Sequence, residues 1–78
     1  MPTALRVGGH RFFFFSNEGQ EPMHVHVETG DSYAKFWLKP VALAVWFGYN
    51  PKELRRLQEL VEAHRDVLEA KWNEHFGR

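Results

Sequence analysis

The sequence contains no cysteine among its 78 residues. That absence excludes disulfide bonds, thiolate metal sites and cysteine nucleophiles together, and it fits a reducing compartment. No run approaches the roughly 18 apolar residues that a membrane span needs. The stretch MPTALRVGG also lacks the basic start and apolar core of a secretory signal. We therefore expect a cytoplasmic protein.

A net charge is missing as well. Ten lysines and arginines balance ten acidic residues, so the formal net charge is +0 at pH 7. No overall field draws in nucleic acid or anionic lipid, and binding of either requires a local patch. The sequence has no glycine-rich phosphate loop and no Gly-x-Ser-x-Gly turn. These absences remove the common signatures of nucleotide-binding proteins and of α/β-hydrolases.

What remains is the composition of a globular protein. Apolar residues make up 44% of the chain, aromatic residues 15% and charged residues 26%. These proportions are typical of a folded protein, and the length suits one compact unit. We expect a single domain over residues 1–78.

Two glycine-containing turns predict two β-hairpins. The first turn, Gly8-Gly9, separates strands predicted at about 4–7 and 10–16. The second strand contains four consecutive phenylalanines, Phe12 to Phe15, whose rings alternate between the two faces. Part of this sheet must therefore be covered on both sides, by helix, loop or second subunit, and a homodimer is one way to provide the cover.

The second hairpin follows a loop predicted over 16–23. Its strands are predicted at about 23–29 and 32–39, and Gly30-Asp31 is typical of a type II′ turn. A two-residue loop fixes the register and places His24 opposite Trp37, as the last pair of the ladder. One predicted face is apolar and carries Val25, Val27, Ala34, Phe36 and Leu38. The other carries His24, His26, Glu28, Tyr33, Lys35 and Trp37.

Helices are predicted in the second half of the chain. Residues 41–47, VALAVWF, fit either a buried strand or a short helix, and we favour a short helix closed by Gly48. Asn50-Pro51-Lys52-Glu53 has the residues of a capping box and predicts a long helix to about residue 75. Its predicted apolar arc contains Leu54, Leu57, Leu60, Val61, His64, Val67, Leu68 and Trp72. The expected fold is an α+β domain, with about four antiparallel strands packed against a short and a long helix.

Several stretches together resemble one bacterial family. They are MPTALRVGGHRFFFFSNEG, EPMHVHVE, AKFWLKP and the terminal KWNEHFG. The chain is similar to the family catalogued as domain of unknown function 4160, whose members tend to start MPT and carry a Pro-x-His-x-His motif. The motif's histidines correspond to His24 and His26. The resemblance implies a component of a small two-gene module, similar to a toxin–antitoxin pair, with a protein partner encoded nearby.

His24, His26 and Glu28 are candidate ligands of a divalent metal. Alternate residues of one strand point the same way, with Cα atoms roughly 6.5–7 Å apart. Two imidazoles and a carboxylate suit zinc, iron or manganese. A further ligand has to come from another element, and His64 on the long helix or His10 on the first hairpin is a candidate for it.

The same face is also a candidate nucleic-acid surface. Tyr33 and Trp37 offer stacking platforms, and Lys35 and Arg11 offer phosphate contacts. His24 and His26 supply a general base and a general acid for cleavage that uses a ribose 2′-hydroxyl. The zero net charge argues against this hypothesis.

A structural interpretation stands beside both site hypotheses. In it, His24 and His26 hydrogen-bond to the 16–23 loop or to Glu28, and Trp37 packs beneath a helix. We expect an interaction or regulatory protein as the leading function. The alternative is a small metal-dependent or histidine-based nuclease that uses His24 and His26.

Overall fold

A computed structural model describes residues 3–15 and 19–77. Five strands precede two helices: β1 (Thr3–Val7), β2 (His10–Phe13), β3 (His24–Thr29), β4 (Ser32–Leu38), β5 (Val41–Phe47), α1 (Pro51–Ala63) and α2 (Arg65–Phe76). Each strand pairs antiparallel with the next, in the spatial order β1-β2-β3-β4-β5. The predicted α+β class is confirmed, with one strand more than the four expected. Neither described helix has the length and apolar character needed to cross a membrane.

The β3-β4 hairpin has the predicted register. His24 lies opposite Trp37, and the pairing continues residue by residue to the turn. Gly30 has a φ of +56°, and no non-glycine residue in the described ranges has a positive φ. Only the first turn position is therefore left-handed, as in a type II′ turn. Of the loop predicted over 16–23, residues 16–18 lie outside the described residues.

Residues 41–47 form strand β5, and the predicted short helix is wrong. Val41, Val45 and the aromatic end of the segment suit a pleated strand, and β4 supplies a partner for the backbone. Lys35 pairs with Val45 and Phe36 with Leu43, so the ladder skips one residue of β5. A seven-residue apolar run has no decisive period, and the long-range pairing settles its conformation.

Helix α1 begins at the predicted capping box. The Asn50 side chain accepts a hydrogen bond from the Glu53 backbone N–H at 2.8 Å. The Glu53 carboxylate accepts one from the Asn50 N–H, also at 2.8 Å. With Pro51 in the first turn, these contacts satisfy backbone donors that a helix start otherwise leaves unpaired.

The predicted single long helix is divided at His64, which has φ −109° and ψ 14°. The Leu60 carbonyl accepts hydrogen bonds from the His64 backbone N–H at 3.0 Å and from its Nδ1 at 2.9 Å. Val67 lies at the edge of the predicted apolar arc and is 46% exposed, whereas Leu68 lies within the arc and is buried. Helix α2 ends at Phe76, close to the predicted end at about residue 75, and Gly77 is its C-cap in the left-handed conformation.

The core lies between the two helices and one face of the sheet. Trp72 is its largest fully buried side chain. The core contains Phe12, Phe14, Val25, Val27, Ala34, Phe36, Leu38, Leu57, Leu60, Val61, Leu68 and Trp72. Since strand side chains alternate, His24 and His26 belong to the opposite face.

Candidate functional site

The sheet face opposite the helices carries the residues that the sequence singled out, and we call it the histidine face. Its members from β2, β3 and β4 are Arg11, Phe13, His24, His26, Glu28, Tyr33, Lys35 and Trp37. Strand pairing brings them together across three neighbouring strands. His24 is 0% exposed and His26 is 2% exposed, so both candidate histidines lie beneath neighbouring side chains and not on an open surface.

His24 is enclosed by rings and by the loop before β3. Its Nδ1 donates a hydrogen bond to the Pro22 carbonyl at 2.9 Å, because a carbonyl oxygen only accepts. Its ring centroid lies 5.0 Å from that of Trp72 and 5.6 Å from that of Trp37. The loop contact agrees with the structural interpretation of the motif. It also fixes which nitrogen of the neutral ring carries the proton.

His26 is packed between aromatic rings. It stacks on Phe13 at 5.4 Å with an interplanar angle of 27°, and on Tyr33 at 5.8 Å and 24°. Phe15 meets it edge-on at 4.5 Å. Its Nδ1 shares a hydrogen bond with the Tyr33 hydroxyl at 2.6 Å, whereas the structural interpretation offered the loop or Glu28 as its partner. These ring contacts explain the burial of His26.

Arg11 and Glu28 form an ion pair across β2 and β3. The Arg11 Nη1 lies 2.8 Å from Glu28 Oε1, and the Arg11 Nε donates to the Thr3 hydroxyl at 2.8 Å. The same guanidinium lies 4.5 Å from the centroid of the Phe13 ring. Arg11 therefore already holds a carboxylate and a ring. Glu28 is paired with Arg11, and its predicted role as a metal ligand stays a prediction.

Lys35 has a similar arrangement beside Trp37. Its Nζ lies 3.1 Å from Glu21 Oε1 and 4.5 Å from the centroid of the Trp37 ring. Trp37 is half-buried. The two predicted phosphate-binding cations, Lys35 and Arg11, thus each have a carboxylate partner, which lowers the local positive potential available to a nucleic acid. The roles predicted for Arg11, Tyr33, Lys35 and Trp37 in nucleic-acid binding stay predictions.

The described residues offer no ready-made metal centre. Within residues 3–15 and 19–77, no three or more His, Asp or Glu side chains gather in a way that could hold a metal ion. The rings of His24 and His26 lie 5.0 Å apart and perpendicular to one another. The metal and catalytic roles predicted for these two histidines stay predictions.

Sequence reasoning missed the rings that enclose the motif. Phe13 and Phe15 flank His26, and Trp72 reaches His24 from α2. The positions of Phe13 and Phe15 carried a usable signal, because alternate residues of a strand share a face. The contact with Trp72 had no local signal, since it joins residues 48 positions apart.

A second polar cluster lies near the start of α1. His10 Nδ1 is 2.7 Å from Thr29 Oγ1, which lies 2.9 Å from the Tyr49 hydroxyl oxygen. These residues line a cleft of about 320 Å³ with Lys52, Glu53 and Arg56. Burial raises the pKa of Tyr49 above its ordinary value, against the opposing effect of the Thr29 hydrogen bond. His10 therefore belongs to this cluster and not to the histidine face.

The most exposed apolar part of the described chain is the end of β5. Val45 is 50% exposed, Trp46 52% and Phe47 61%. Trp46 pairs with Ala34 and therefore shares the helix-bearing face, whereas Val45 and Phe47 pair with Lys35 and Tyr33 on the histidine face. An edge strand with apolar side chains on both faces is a surface suited to pairing with another strand.

These features define a small α+β protein with a five-stranded meander, two helices on one face and a buried histidine pair on the other. The chain belongs to the family described as domain of unknown function (DUF4160), whose model matches residues 9–73. The resemblance seen in the sequence is thereby confirmed. Comparison with curated proteins and with solved structures finds no match.

Proposed function

We propose that this chain is a protein-interaction component of a small bacterial two-gene module, similar to the regulatory member of a toxin–antitoxin pair. The exposed apolar end of β5 carries the proposal. Burial of an apolar side chain contributes about 1.5–3 kcal/mol, and Val45, Trp46 and Phe47 each expose at least half of their surface. A strand added along β5 takes up its outer backbone groups and buries these side chains together.

The histidine face supports the same proposal in a different way. Aromatic rings contact one another across four strands, stacked from Phe13 through His26 to Tyr33 and tilted between Tyr33 and Phe47. These contacts tie the end of β5 to the rest of the sheet. A rigid edge binds a partner strand at lower entropic cost than a mobile one.

The proposal is tested by co-expressing the chain with its genomic neighbour and purifying the tagged chain. We expect a stoichiometric complex that contains the neighbouring gene's product. Val45→Lys should reduce its recovery at least about tenfold, because a charge then has to be desolvated at the contact. Val67→Lys is the matched control, since Val67 is similarly exposed but lies on α2. The proposal fails if the wild type does not bind this product, or if both variants behave alike.

A further inference from the structure

Resting on the proposed function, we propose that a second copy of this chain occupies the β5 edge, and that the neighbouring gene's product binds the resulting dimer. The two copies of β5 pair antiparallel about a twofold axis and join two sheets into one of ten strands. The two α1 helices then lie side by side on one face, with Arg55 of each facing Glu62 of the other. Such a contact is isologous, with each residue pair formed twice.

The sequence of β5 lacks the usual protection of an edge strand. Natural edges are commonly blocked by lysine, by proline or by charges that point inward. Val41–Phe47 reads VALAVWF and contains none of these, and β5 is the outermost strand of the described sheet. The skipped residue in the β4 ladder is a bulge-like irregularity, which is another device that protects natural edges, but it adds no charge and no proline to β5. The outer side of β5 is thus open to a further strand.

Because β5 exposes apolar side chains on both faces of the sheet, it restricts the sequence that a partner strand can have. A strand added to β5 meets Trp46 on the helix-bearing face and Phe47 on the histidine face. A partner strand therefore needs apolar residues on both of its own faces. A second β5 meets this requirement, because it is apolar throughout its length.

The flank of α1 that overhangs β5 has a self-complementary charge order. Leu54, Arg55, Gln58, Glu59 and Glu62 line a cleft of about 360 Å³ together with Leu43 of β5. The basic residue, Arg55, lies near the start of this flank, and the acidic residues, Glu59 and Glu62, lie nearer its end. A twofold axis perpendicular to the sheet reverses the second helix, so opposite charges meet at both ends.

Spacing along the helix agrees with this arrangement. Arg55 and Glu62 are seven residues apart, or roughly 10.5 Å along the axis, and Gln58 lies midway on the same flank. Among the described residues, neither Arg55 nor Glu62 takes part in an ion pair within the chain, whereas Arg56 pairs with Glu59. The two outer charges are thus available to a second copy. The zero net charge also means that two copies do not repel each other overall.

The lengths of the two elements match as well. Seven residues of β5 span about 23 Å as a strand, and thirteen residues of α1 span about 20 Å as a helix. Strand pairing and the helix contact therefore extend over the same distance. Together, the strand pairing and the helix contact bury more surface than the strand pairing alone. Stable complexes bury about 800 Å² per partner.

The test uses the purified full-length chain alone, in analytical ultracentrifugation over a concentration series. We expect a species with twice the 9.2 kDa mass of the chain. Arg55→Glu and Glu62→Arg should each weaken the dimer about tenfold, because each creates two like-charge contacts. An equimolar mixture of these two variants should dimerise as tightly as the wild type, since both contacts are then complementary. The double variant R55E/E62R should also recover.

Val45→Lys and Val67→Lys test whether the dimer contact lies at β5 or at another surface. The first should abolish the dimer and the second should leave it intact, and circular dichroism checks that both fold. The inference is overturned by a monomeric wild type, by a dimer that survives Val45→Lys, or by a variant mixture that associates no better than its components. A monomer that still captures the neighbouring gene's product through Val45 overturns this inference and leaves the proposed function standing.

Discussion

His26 and Tyr33 lie on adjacent strands and are joined both by their rings and by a hydrogen bond. Their rings stack with an interplanar angle of 24°, and Nδ1 lies 2.6 Å from the phenolic oxygen. Tyr33 stands diagonally from His26, since its direct partner in the ladder is Glu28. Diagonal neighbours of this kind are within reach of aromatic side chains. The pair links the family motif to the strand that supports β5.

We predict that His26 and Tyr33 are energetically coupled. Tyr33→Phe removes the hydrogen bond and keeps the stacked ring, and it should lower the free energy of unfolding by about 1–3 kcal/mol. His26→Phe removes the other partner. The loss in the double variant should be smaller than the sum of the two single losses, as measured by urea denaturation. Additive losses would show that the two side chains stabilise the fold independently.

We predict a specific cost for losing the cap of α1. Asn50→Ala removes the acceptor for the Glu53 N–H, and it should lower the free energy of unfolding by about 0.5–2 kcal/mol. Asn50→Asp keeps a side-chain oxygen at the same position and should cost far less. Urea denaturation of both variants measures the difference. Equal losses would mean that the capping box contributes nothing specific to stability.

The β3-β4 hairpin could be predicted down to its register because its determinants are local. A glycine-first turn fixes which residues pair, and the apolar alternation independently gives the same faces. The start of α1 is equally local, since four consecutive residues make its capping box. The family could also be identified, because several short stretches along the chain, among them the one that holds His24 and His26, carry the resemblance together.

Other features depend on contacts that sequence spacing does not contain. β5 is a strand because β4 lies beside it, and its seven apolar residues alone are compatible with either structure. The burial of His24 needs Trp72, which is distant in sequence. The alternation of histidines with valines assigns the two residue types to opposite faces of the strand, but it does not determine how far the histidine face is buried. The rings that pack against His24 and His26 bury both side chains.

We predict that Gly48, which follows β5, cannot be replaced by alanine without loss of stability. Its φ is +85°, and an added Cβ would lie 2.5 Å from the Ser32 Oγ and 2.9 Å from the Ser32 Cβ. Both the left-handed backbone and the contact oppose the substitution, which should cost more than about 1 kcal/mol. Gly9→Ala is the control, because nothing lies within 4 Å of its added Cβ. Thermal unfolding of the two variants should separate them, and similar midpoints would contradict this account of Gly48.

We predict that Tyr49 makes the fold sensitive to alkaline pH. Burial raises its pKa above 10.0, so the unfolded chain loses the phenolic proton at lower pH than the folded chain. The stability contributed by neutral Tyr49 is therefore complete below about pH 10 and declines as the pH rises through the folded-state pKa. Tyr49→Phe removes the ionisation and also the hydrogen bond to Thr29, which lies 2.9 Å away. Urea denaturation at several pH values should give an advantage of wild type over variant that is constant near neutrality and shrinks above pH 10. An advantage that stays constant throughout would show that Tyr49 ionises equally in the folded and unfolded chain.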